Sequence, residues 1–251
     1  MTTESWRRHL PVWVRERIEV NTFLMSRLLA ETAQQLPASS RVLDAGAGEG
    51  RFRELFAHTK YVGVDLAVGD STWNYSGLDA INSLDQLCFT DNSFDVVVFT
   101  QVMEHLPEPS AVLAELQRVL RPGGLLILVA PQSWHAHQIP HDFYRYTAYG
   151  IRYLLGKNGL SLERLQPLGG YFWYLSYQLQ LLPYWIFSRN GVASHLPGPL
   201  RLALKTAAVV LFELCLPLLL FYLDPIDQVQ EATLGHFCLA RKPDPAGTAS
   251  R

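Results

Sequence analysis

Apolar residues recur at helical spacing through 12–36 (Val14, Ile18, Phe23, Leu24, Leu28, Leu29) and predict an amphipathic helix that Pro37 and its polar neighbours break. Beyond it the pattern changes to short apolar runs separated by helical stretches. Strands are predicted at 41–44, 61–65 and 78–81, with a helix from the Gly-rich turn after the first strand to about Ala57. Residues 94–99 form a β-branched run of the kind that fills a buried parallel strand. A helix at 110–120 stops at Arg121-Pro122-Gly123-Gly124, and 125–130 is a fifth strand. Thr147 caps a helix that reaches Lys157, and 160–168 returns as a strand. Such alternation predicts a doubly wound, mostly parallel α/β sheet of the Rossmann-like kind. A closing strand at 233–240, expected antiparallel, follows an apolar helical insertion.

That insertion departs from the rhythm. Residues 171–188 carry no charge and eight aromatic rings, and 206–223 are apolar apart from Glu213 and the break at Pro217. As helices of 18 residues each would measure roughly 27 Å, slightly short of a membrane span. If the closing strand joins the same sheet, the chain must return to the side it left. A single crossing is thereby excluded, leaving two crossings, a shallow hairpin, or a helical lid or dimer interface. Rings flanked by Arg189, Arg201 and Lys205 suit a hairpin in the headgroup region, giving peripheral membrane contact through 171–223. Glu213 argues against a simple lipid-exposed span.

Length and composition narrow the picture. A chain of 251 residues fits one domain, with a helical segment at 1–39, a core at 40–169, the insertion at 170–224 and the last strand and tail at 225–251. Hydrophobic residues reach 49% against 18% charged, an excess concentrated in the insertion. A net charge of −2 and the lack of a dense basic stripe give no attraction to nucleic acid. Cys88, Cys215 and Cys238 follow no metal-ligand spacing, and the first residues lack a secretory apolar core. The expected location is the cytoplasm, on the inner face of a membrane if the hairpin reading holds.

The chemistry begins at Asp44-Ala45-Gly46-Ala47-Gly48-Glu49-Gly50, where the first strand turns toward a helix. Glycines there let the backbone bend sharply and approach a ligand. The spacing is neither G-x-G-x-x-G nor a P-loop. Asp44 and Glu49 would repel a pyrophosphate, yet they suit a ligand carrying an ammonium and a sulfonium. Asp65, ending the second strand, can accept both hydroxyls of a ribose.

Taken with Val62-Gly63-Val64-Asp65, Asp91-Asn92-Ser93-Phe94-Asp95-Val96-Val97 and Leu120-Arg121-Pro122-Gly123-Gly124, this loop resembles the class I methyltransferases, closest in flavour to the UbiE/UbiG-like "methyltransferase type 11" group. The resemblance covers 40–168 and the final strand. It implies S-adenosylmethionine as cofactor, with Asp44, Gly46, Ala47, Gly48 and Gly50 on the methionine moiety and Asp65 and Leu66 on the ribose. Ser83 stands where the group commonly has an acidic residue, so Ser83 and Leu84 are expected on the adenine. Cys88, in place of the usual proline, reads as a small buried residue.

Methyl transfer asks the protein to position an acceptor and, for an oxygen, to take its proton. Gln101-Val102-Met103-Glu104-His105 follows the fourth strand at the ligand-binding edge, with Gln101 expected at the cofactor and His105 a candidate base. Some relatives hold a divalent ion with Glu-x-x-Glu-His; Gln101 replaces the first Glu here, so no metal is assigned. Metal-assisted O-methylation through Glu104 and His105 is kept as an alternative, as is pocket shaping or helix capping by the pair. After the fifth strand, His141 and Asp142 form a candidate oriented base, and Tyr144, Arg145 and Tyr146 candidate acceptor contacts. A structural Asp142–Arg145 pair is the plainer possibility. The expected activity is methylation, at oxygen, of a small-molecule, lipid-linked or glycan acceptor. A module that binds the cofactor without turnover is the competing expectation.

Overall fold

A computed structural model describes residues 4–69 and 72–244. The described residues fall into two compact units, one comprising 25–69 and 72–166 with 235–244, the other 4–24 with 167–234. The sequence reading instead set the N-terminal helical segment apart from the insertion.

The larger unit contains β1 (Arg41–Ala45), β2 (Lys60–Asp65), β3 (Ala80–Ile81), β4 (Phe94–Thr100), β5 (Leu120–Pro131), β6 (Ser161–Pro167, its last residue in the other unit) and β7 (Gly235–Arg241). They form a seven-stranded sheet in the order β3-β2-β1-β4-β5-β7-β6. The β2–β1, β1–β4 and β4–β5 pairs are parallel, and β7 runs antiparallel to β5, as expected. The reversal of strand order between β1 and β4 puts a crevice at their carboxyl ends, where doubly wound sheets receive ligands. Central position explains the β-branched runs: Val96, Val97, Val98 and Phe99 of β4 and Leu126 to Val129 of β5 are all buried.

Helices α4 (Pro109–Val119) and α5 (Ala148–Lys157) bury Leu113, Leu116, Ile151 and Leu155 in the same core as Phe94 and Leu128. Pro109 starts α4 at a position that needs no backbone donor. Thr147 caps α5 by accepting the Gly150 N–H at 3.1 Å. Three expectations need correction. The helix after the glycine turn is only a 3₁₀ turn, Arg53–Phe56, because β2 begins at Lys60 and leaves no room for more. The third strand shrinks to two residues. Cys88 is exposed, its N–H donated to Asn82 Oδ1 in a surface turn, so it fills no core position.

The other unit holds α1 (Glu4–Arg7), α2 (Val12–Ile18), α6 (Tyr171–Gln180), α7 (Leu182–Phe187), α8 (Gly198–Val210) and α9 (Leu216–Leu223). The single helix predicted over 12–36 is divided at Glu19 into α2 and α3 (Val20–Ala33), and α3 contributes its first five residues to this unit and the rest to the larger one. A π-turn, Leu211–Cys215, joins α8 to α9, and the helix is continuous over Gly198–Ile226, 29 residues. It is therefore longer than the 18-residue stretch the composition suggested, and long and apolar enough to cross a membrane. Trp173 of α6 stacks on Phe221 of α9 at 5.7 Å. Glu213 is fully buried and bonded to Arg7 at 2.9 Å, which removes the charge from the helix surface.

Candidate active site

The glycine loop leaves β1 with Gly46, Gly48 and Gly50 all at positive φ, a conformation open to residues without Cβ. At Gly46 a Cβ would also stand 2.4 Å from Val102 Cγ2, so the loop after β4 is pressed against the loop after β1. The loop's amides are consumed internally. Gly46 and Ala47 both donate to Val64 O, at 2.8 and 2.9 Å, Gly48 donates to Asp65 Oδ2 at 2.9 Å, and Gly50 to Ala47 O. A phosphate cradle needs such amides free and a helix N-terminus behind them. Here four of the loop's amides are taken, and a short 3₁₀ turn, Arg53–Phe56, stands where that helix would begin.

What the loop offers is negative charge. Asp44 is buried, and the Tyr61 hydroxyl donates to its Oδ2 at 2.6 Å. Burial pushes the Asp44 carboxyl up to about 6 against that hydrogen bond, with Asp65 adding to the rise. Asp65 Oδ1 accepts the Ala67 N–H at 2.8 Å, which aims the carboxylate along the loop. Glu49 Oε1 accepts the Asn74 N–H at 2.8 Å, and the ring of Trp73 would lie 3.3 Å from a Cβ on Gly48. Buried and half-buried carboxylates beside a loop whose Gly46, Ala47, Gly48 and Gly50 amides are already taken fit a cationic nucleoside such as S-adenosylmethionine, and they fit a dinucleotide poorly. Tyr61 and Trp73 were missed from sequence; both act through contacts with the glycine loop, and no short motif contains them.

The remaining cofactor candidates divide. Leu84 is buried in the core beside this edge, and Ser83 bonds the Asp85 carboxylate. Leu66 is exposed. Gln101, at positive φ, directs its amide to Met25 Sδ at 4.0 Å.

A second cluster lies in the loops after β4 and β5. Glu104 is fully buried, and neither of its carboxylate oxygens has a hydrogen-bond partner among the described residues. Its backbone carbonyl accepts the Phe143 N–H at 2.8 Å, while the buried Tyr146 hydroxyl donates to Met103 O at 2.8 Å. These bonds tie the two loops together. His105 Nε2 lies 3.7 Å and His137 Nε2 4.0 Å from Glu104 Oε1. Burial pushes the Glu104 carboxyl up to about 7 and holds both imidazoles below their ordinary value.

The other acceptor-side candidates have structural roles. Arg145 donates to both oxygens of Asp142, at 2.6 and 2.8 Å, and to the carbonyls of Trp134 and His135. Its guanidinium beside Asp142 holds that carboxyl far below the ordinary range, which suits an orienting anion and not a base. The imidazole near Asp142 is that of His137, its Nδ1 3.6 Å from Asp142 Oδ2, and the His137 backbone N–H donates to the same oxygen at 2.9 Å. His141 is exposed and contributes its carbonyl to His105, so the expected His141–Asp142 pair is not assembled. Tyr146 is core, and its hydroxyl serves the loop instead of an acceptor. Tyr144 is exposed, with its hydroxyl donated to Pro107 O at 3.1 Å. From sequence, His137 belongs to the Trp134-His135-Ala136-His137 stretch at the ligand-binding edge, but nothing local links it to Glu104.

The comparisons with known proteins agree with this geometry. A family model described as a methyltransferase domain matches residues 15–182, so the chain belongs to that family, the class I S-adenosylmethionine-dependent methyltransferases. An uncharacterised methyltransferase of Mycobacterium tuberculosis is 32% identical over 113 residues, which is 42% of this chain and 44% of that protein. The ubiquinone/menaquinone C-methyltransferase UbiE of Desulfotalea psychrophila is 32% identical over 133 residues, 48% of this chain and 53% of its own. The chain thus spans about half the length of the curated relatives it matches. Among solved structures, the [4+2]-cyclase SpnF has TM-score 0.54 and 21% identity, over 87% of this chain and 82% of its own. The 1,6-didemethyltoxoflavin-N1-methyltransferase of Burkholderia thailandensis, solved with S-adenosylhomocysteine, has TM-score 0.51 and 17% identity, over 96% of this chain and 85% of its own. At these identities the likeness is one of fold.

Proposed function

We propose that the protein transfers the methyl group of S-adenosylmethionine to an oxygen of a small-molecule or lipid-linked acceptor at the cytoplasmic face of a membrane. The observation that carries the cofactor half is the glycine loop, whose Gly46, Ala47, Gly48 and Gly50 amides are taken internally, with the Asp44 and Asp65 carboxylates oriented beside it toward the charge of a cationic nucleoside. The cofactor supplies the activated carbon. In this reading the chain's own groups orient the acceptor and help its hydroxyl lose a proton. Glu104, His105 and His137 stand at the sheet edge for that purpose, with neutral imidazoles favoured by burial.

The insertion supports the membrane half. Only 17% of the apolar window in Gly198–Ile226 is buried, and Leu202, Leu219, Tyr222, Tyr184 and Trp185 are exposed. A complete single crossing by this helix would part β7 from its sheet neighbours β5 and β6, so a monotopic attachment is preferred.

The test is calorimetric titration of S-adenosylhomocysteine into wild type and Asp65→Ala, followed by transfer of labelled methyl to a lipid extract. Saturable binding weakened about 10- to 100-fold by the substitution, on the order of 1.4–2.8 kcal/mol, is expected. Label found only in protein or nucleic acid would overturn the acceptor class. Binding without transfer to any extract would favour the non-catalytic module. Carbonate extraction checks the attachment, and release into buffer without detergent would remove it.

A further inference from the structure

We infer that Glu104, His105 and His137 form a binding site for one divalent transition-metal ion. The donor atoms of the three residues all lie within 4.8 Å of one another, on loops following two adjacent parallel strands of one unit. Three independent observations point to a ligand there.

The first is the tautomeric state of the imidazoles. His105 Nδ1 is 2.6 Å from His141 O and His137 Nδ1 is 3.1 Å from His135 O. A carbonyl only accepts, so each Nδ1 carries the proton and each Nε2 turns a lone pair toward Glu104. Fixing Nδ1–H on a backbone carbonyl is how metal-binding histidines are oriented. Asp142 stands 3.6 Å from His137 Nδ1 and donates nothing to the cluster.

The second is the carboxylate. Both Glu104 oxygens and His105 Nε2 are buried without a hydrogen-bond partner among the described residues. Once ionised, the carboxylate can only accept, and facing two acceptor nitrogens it makes a repulsive arrangement that a cation would resolve.

The third is geometry. Donors about 2.1 Å from a shared ion sit about 3.0–3.5 Å apart. The 3.7 and 4.0 Å separations from Glu104 reach that range by shifts of about 1 Å or less, and the remaining pair lies within 4.8 Å. Two imidazoles with one carboxylate favour zinc, manganese, iron or cobalt over magnesium and calcium, and leave coordination positions open. Gln101 takes no part, since its amide is directed to Met25. The ion site stands without the transferase reading. Its use to hold an acceptor hydroxyl rests on that reading.

Full-length protein stripped with chelator is titrated with Co²⁺ and followed by visible d–d absorption, then with Zn²⁺ against a chromophoric chelator. Wild type is expected to bind one equivalent. Glu104→Gln and His137→Ala should each weaken binding at least tenfold, while His195→Ala, an exposed histidine of the insertion, should not. S-adenosylhomocysteine binding, measured on every variant, reports folding. Wild type that binds Co²⁺ no more tightly than Glu104→Gln, or takes up several weak equivalents unaffected by Glu104→Gln and His137→Ala, overturns the inference. Intact S-adenosylhomocysteine binding with no ion site would sink the metal alone; an ion site without cofactor binding would sink the transferase reading and leave the metal standing.

Discussion

The glycine loop and the Glu104 cluster lie on neighbouring loops, and they treat buried polar groups in opposite ways. Around the glycine loop the recorded polar groups are matched: the Gly46, Ala47, Gly48 and Gly50 amides have acceptors, and Asp44 has the Tyr61 hydroxyl. In the cluster a carboxylate and a ring nitrogen are buried with none. A matched region is rigid and tolerates little change. An unmatched one carries a cost that is relieved only when something arrives, which is the usual condition of a working site.

The largest effect expected from this contrast is at Gly46. Gly46→Ala places a Cβ 2.4 Å from Val102 at a φ of +84° and should cost about 3 kcal/mol or more. Urea unfolding measures it. Val102→Ala in the same chain should recover the steric share and leave the backbone share, and full recovery would mean the backbone is not constrained.

The next effect is in pH. A cationic ligand selects ionised Asp44, whose carboxyl sits near 6 in the free protein. Affinity for S-adenosylmethionine should therefore hold above pH 7 and fall toward tenfold per unit below about 6. For the free fold the sign is reversed. The native state keeps the proton more tightly than an unfolded carboxyl at 3.8, so this group's contribution to stability declines as pH rises from there through about 6. Tyr61→Phe removes the hydroxyl that favours the anion and should move the binding midpoint upward. An affinity flat from pH 5 to 8 would place Asp44 away from the charge of the ligand.

The smallest effect should be at Glu104. In ion-free protein, Glu104→Gln replaces an unmatched buried carboxylate with an amide able to donate to His105 Nε2. The expected result is a gain of about 1 kcal/mol, read as a raised Tm, where most buried substitutions destabilise. A loss of similar size would show that the carboxylate is already matched in solution.

Much of this was legible in the sequence because it is local. The runs at β4 and β5 carry their burial in their composition, the Thr147 cap needs only the amide of Gly150, and the loop from Asp44 to Gly50 is one continuous motif. What escaped depends on distance along the chain. His137 meets Glu104 only because β4 and β5 are neighbours, and the direction a ring takes in the Tyr144-Arg145-Tyr146 loop has no periodicity to announce it. Tyr146 and Arg145 accordingly read as acceptor contacts, and the bonds by which they also hold the loop, to Met103 O and to Asp142, are not announced by the motif. The shortened turn at Arg53–Phe56 follows from how soon β2 begins, a matter of spacing that helix propensity does not register.

The placement of β7 also has a consequence for how the chain reaches this fold. Its partner β5 ends at Pro131, while β7 begins at Gly235, after α5, β6 and the whole apolar excursion have been made. During synthesis one edge of β5, rich in Leu, Ile and Val, waits unpaired while exposed apolar helices emerge beside it. Closing that edge is a late, long-range event. The protein's yield in the cell should therefore respond to chaperone supply and to translation speed through residues 167–234 more than to the strength of any contact in its site.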